Sequence, residues 1–60
     1  PNITQAELAL LNAECVRIRE TVDSIARRNP AAGALAKEVL PRVAEIERLL
    51  EAINKDSAPQ

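Results

Sequence analysis

The chain contains no phenylalanine, tryptophan, tyrosine, methionine or histidine, and only one glycine and one cysteine. Each shortage closes a line of function. Without histidine there is no imidazole base to activate Cys15, and none of the carboxylates can complete the Glu-x-x-His spacing of a helical-bundle metal site. A single cysteine forms no internal disulfide and no metal cluster, so no cofactor or metal is expected. One glycine cannot build a phosphate-cradling loop, and the lack of aromatic rings removes the platforms on which nucleic-acid bases stack. No apolar run approaches the ~20 residues of a membrane span, and no signal-peptide pattern is present, so the expectation is a cytoplasmic protein with no membrane partner.

Charge narrows the choice further. Eight basic and nine acidic residues are mixed along the chain, with a net charge of −1 that draws in neither nucleic acid nor anionic lipid. Glu7, Glu14, Glu20, Glu38, Glu45, Glu47 and Glu51 fall by their phase on solvated helix faces, and no enzymatic constellation emerges. Pro1 fits a chain trimmed of its initiator methionine, or the edge of a longer one. A catalytic N-terminal proline would need a strand to carry it, whereas here a helix signature begins within four residues.

What is present is helical punctuation. Thr4-Gln5-Ala6-Glu7 has the form of a capping box, with Ile3 and Leu8 spaced as a hydrophobic staple, so a first helix is predicted over about 5–28. Arg27-Arg28-Asn29-Pro30-Ala31-Ala32-Gly33 holds the break. The residue before a proline is pushed out of the α region, the two arginines suit the negative end of a helix dipole, and Asn29-Pro30 supplies an N-cap followed by a first-turn proline. A turn is predicted near 29–33 and a second helix over about 30–55, leaving 56–60 as a frayed polar tail.

Both helices carry apolar residues at alternating spacings of three and four. The first has Leu8, Leu11, Cys15, Ile18, Val22 and Ile25; the second has Ala36, Val39, Val43, Ile46, Leu50 and Ile53. The second seam passes Pro41 without changing phase, which predicts one kinked helix rather than a short helix over 30–39 followed by a new one. Paired charges on the outer face of the first helix, Arg19 with Asp23 and Asp23 with Arg27, stand at helical spacing.

The fold class is therefore all-α, an antiparallel two-helix hairpin. At 60 residues with no aromatic core a lone hairpin is marginal. Leu10, Leu35, Leu40 and Leu49 also widen the apolar stripes beyond what one partner helix covers, so dimerisation into a four-helix bundle is expected. If the first helices pack on each other, Cys15 should lie near its own copy; if the second helices do, Val43 takes that place.

The expected function is a non-catalytic protein–protein interaction module, a regulator, adaptor or inhibitor whose partner is itself or another protein, with Leu10, Cys15, Leu35, Leu40, Val43 and Leu49 as interface residues. The alternative is a nucleic-acid-binding hairpin dimer using the cluster Arg27, Arg28 and Lys37. That reading rests on architecture alone, shared with small dimeric hairpins that bind paired RNA loops.

Overall fold

A computed structural model describes residues 3–57, and these are helical almost throughout. Helix α1 spans Gln5–Arg28, α2 spans Pro30–Ala36, a 3₁₀ turn covers Lys37–Val39, and α3 spans Leu40–Ser57. The last three follow one another as a single helical arm that folds back along α1.

The capping box forms in full. The Glu7 N–H donates to Thr4 Oγ1 (3.1 Å), and the Thr4 N–H donates to Glu7 Oε1 (2.8 Å), satisfying two donors that a helix start would otherwise leave open. Ile3 packs against the core cluster that contains Leu8, completing the staple.

The turn is tighter than the predicted 29–33, because one residue does both jobs. Asn29 is extended (φ −149°, ψ 97°). Its N–H closes α1 on the Ile25 carbonyl (2.8 Å), while its side-chain oxygen accepts from the Ala32 N–H (3.1 Å) to open α2. Pro30 then loses nothing by lacking an N–H.

Pro41 does not interrupt the arm. A proline two residues into α3 leaves the Lys37 carbonyl without its usual i+4 donor; the chain tightens, and the Leu40 N–H serves that carbonyl at i+3 instead. The distortion therefore sits at 37–39, just ahead of the proline. Neither of the two sequence-based options describes it fully, since α2 stops at Ala36 and Pro41 takes the second position of α3. The helix also reaches Ser57, two residues past the predicted end, while Ala58–Gln60 of the predicted tail lie outside the described residues.

Gly33 sets how close the arms come. A β-carbon there would meet the Ala26 α-carbon at 2.5 Å and its β-carbon at 2.7 Å, far inside van der Waals contact, so only hydrogen fits at this crossing. Next to this contact Val22 is buried, and then come the two larger layers, Cys15 with Val43 and Leu8 with Leu50.

Candidate functional site

The core of the hairpin is spaced by sevens. Leu8, Cys15 and Val22 are buried on α1, and Val43 and Leu50 on α3. Each arm thus hides one residue per heptad, on the side facing the other arm. The remaining seam residues alternate with these and are left open. Leu11, Val39, Ile46 and Ile53 are 44%, 41%, 44% and 37% exposed, and Ile18 and Ile25 are half-buried.

Helical phase puts all six on one side. On α3, Ile46 and Ile53 lie on the flank of Leu50 opposite that of Glu47 and Asn54; on α1, Leu11 and Ile18 lie on the flank of Cys15 opposite that of Asn12 and Arg19. Contacts agree with this division. Gln5 Nε2 donates to Asn54 Oδ1 (3.2 Å), and Arg19 bridges to Glu47 across the arms, both on the polar flank. Ile18, Ile25 and Val39 line a common depression with Thr21 on the apolar flank, and Ile3, Leu10 and Leu11 line another beside Glu7.

The hairpin is therefore two-faced. One face is laced across by polar groups; the other carries a double row of branched aliphatic side chains that no helix among the described residues covers. A two-helix layer can cover only one row of a heptad seam, and the second row needs another layer.

The interface residues named from the sequence divide into three groups. Leu10, Leu35 and Leu49 are exposed by 68%, 71% and 59%, and Leu40 is half-buried. Cys15 and Val43, at 3% and 1% exposure, form the hairpin's own core, which fits the a position each holds in its seam. The thiol is enclosed by aliphatic neighbours, with nothing to make it reactive. Leu11, Val39, Ile46 and Ile53 are not among the interface residues that the sequence singles out, and their signal is their place in the seam, in the row that alternates with the buried one.

The charged residues mostly serve the helices they stand on. Arg17 donates to Glu14 (2.7 Å), and that hydrogen bond, helped by the carboxylate charge, holds the guanidinium above its ordinary value. Arg48 pairs with Glu45 (3.5 Å). Among the described residues Asp23 pairs with neither Arg19 nor Arg27, because Arg19 reaches the second arm instead. Of the basic cluster, Arg27 and Arg28 close α1, where Arg28 Nε donates to the Ser24 carbonyl (3.3 Å), and Lys37 opens the 3₁₀ turn.

No protein-family model matches the chain, and no curated protein or solved structure is significantly similar to it. Among the described residues no helix is long and apolar enough to cross a membrane, and no three acidic or thiol groups converge as metal ligands.

Proposed function

We propose that this protein is a non-catalytic protein–protein interaction module, of regulator, adaptor or inhibitor type and expected in the cytoplasm, that works through the apolar face of its hairpin. The observation that carries the reading is the open row Leu11, Ile18, Ile25, Val39, Ile46 and Ile53. Its members share one side of the layer and run the length of both arms.

The face is covered by a second hairpin of the same chain, making a homodimeric four-helix bundle. Area supports this. The chain exposes 4796 Å², whereas a compact monomer of 6.5 kDa exposes about 3,800 Å². The excess is close to the ~800 Å² each partner contributes to a standard interface. Its radius of gyration, 14.3 Å, likewise exceeds the ~10.4 Å of a globular 60-residue chain.

Light scattering at tens of micromolar tests the reading. The expected mass is twice that of the 6.5 kDa chain. Ile46→Asp, which puts a charge on the open row, should give a monomer that keeps its helical circular dichroism. A wild-type monomer at that concentration refutes the dimer.

A further inference from the structure

We infer that the two copies pair with their turns at the same end, α1 of each lying over α3 of the other about a dyad parallel to the helices. This rests on the dimer reading above and fixes its geometry. Two closed arrangements place one apolar face on another. A dyad along the helices preserves height and sets α1 on α3; a dyad across them sets α1 on α1 and α3 on α3.

The side chains bordering the open row distinguish the two. By phase, Glu14 on α1 and Arg42 on α3 project straight out of the apolar face, in the flanking positions whose charges set pairing and orientation in helical bundles. Heights follow from the hairpin itself, where Gln5 lies level with Asn54 and Ala26 with Gly33. Glu14 is then level with Glu45, and Arg42 sits three residues nearer the turn, a height difference of about 4.5 Å.

With the dyad along the helices, Glu14 of one copy meets Arg42 of the other, and the same pair recurs by symmetry. Glu45 is turned further from the face and already has Arg48 at 3.5 Å. Glu14 exchanges its exposed partner Arg17 for Arg42, a small change between solvated pairs. Leu10 and Leu49, both strongly exposed off the open row, stand level with each other and meet as an apolar pair. With the dyad across the helices, Arg42 lies near the middle of its arm and faces its own copy, setting like charge against like.

Disulfide trapping in a Cys15→Ser background tests the geometry. Leu11→Cys chains and differently tagged Ile46→Cys chains, mixed and mildly oxidised, should give a mixed covalent dimer, while Arg42→Cys alone should not link to itself. Self-linking of Arg42→Cys, which sits near mid-height, would establish the crossed arrangement and overturn this one. A sample dimeric by scattering that yields no mixed disulfide overturns it too. A monomer by scattering defeats the dimer reading itself, a separate outcome. Charge reversal gives an independent measure: Glu14→Arg or Arg42→Glu should weaken dimerisation roughly three- to thirtyfold, and the double reversal should restore it to within about twofold. Additive weakening in the double variant contradicts the pairing.

Discussion

The two faces of the hairpin are built from the same two arms, yet they meet their surroundings by opposite means. On the polar face the arms are tied to each other, Gln5 to Asn54 and Arg19 to Glu47, and nothing further is required of that surface. On the apolar face the arms share a depression in which Ile18, Ile25 and Val39 stand among Glu14, Arg17 and Thr21, and no described element covers it. The difference shows how a heptad seam is spent. One row closes the hairpin; the other is kept for whatever packs on it.

The sharpest way to break this comparison is to place the same charge in each row. Val43→Asp buries an unpaired carboxylate at a site 1% exposed and should cost about 4 kcal/mol or more, enough to unfold so small a domain. Circular dichroism should show lost helix, whereas Ile46→Asp, three residues along, should keep it. If both variants lose helix to the same degree, the two rows are not distinct.

Gly33→Ala comes next. Alanine gains up to about 1 kcal/mol in helix propensity, but its β-carbon must displace Ala26 backbone atoms, and overpacking of that kind costs roughly 1–3 kcal/mol. The expected result is a lower denaturation midpoint; a raised midpoint would mean that the arms are free to move apart. Thr4→Ala should cost about 1 kcal/mol through the lost cap, on neither face, and so calibrates the scale.

The smallest effect belongs to the polar face. Arg19→Ala removes the bridge to Glu47, but both side chains are more than a third exposed or nearly so, and solvent screening leaves less than about 1 kcal/mol. Chemical denaturation resolving a loss above 2 kcal/mol would show that the polar ties, rather than the buried row, hold the arms together.

Much of this was legible in the residues because it is local. The capping box at Thr4 and Glu7 needs only four consecutive positions, and Asn29-Pro30 ends one helix and begins the next by steric rules acting on neighbours. The period of the seam likewise announces helix without any partner. What was not legible depends on two arms meeting. Periodicity marks both rows of the seam as apolar but does not say which one the second arm will cover, which is why it names Cys15 and Val43 for an interface and does not single out Ile46. Arg19 has a carboxylate four residues on, at Asp23, and another across the hairpin at Glu47, and only the relative height of the arms decides between them. The 3₁₀ turn at Lys37–Val39 answers to Pro41, but a kinked helix and a fresh one both satisfy the same missing N–H on paper.

The contact between Gly33 and Ala26 reaches beyond the turn. Layer by layer away from it the paired side chains grow, from hydrogen against methyl, to cysteine against valine, to leucine against leucine. The packing between the arms is thus graded like a wedge, narrowest at the bend and bulkiest toward the free ends. Two wedges laid with their narrow ends together make a tapered bundle, and two laid head to tail make one of uniform width.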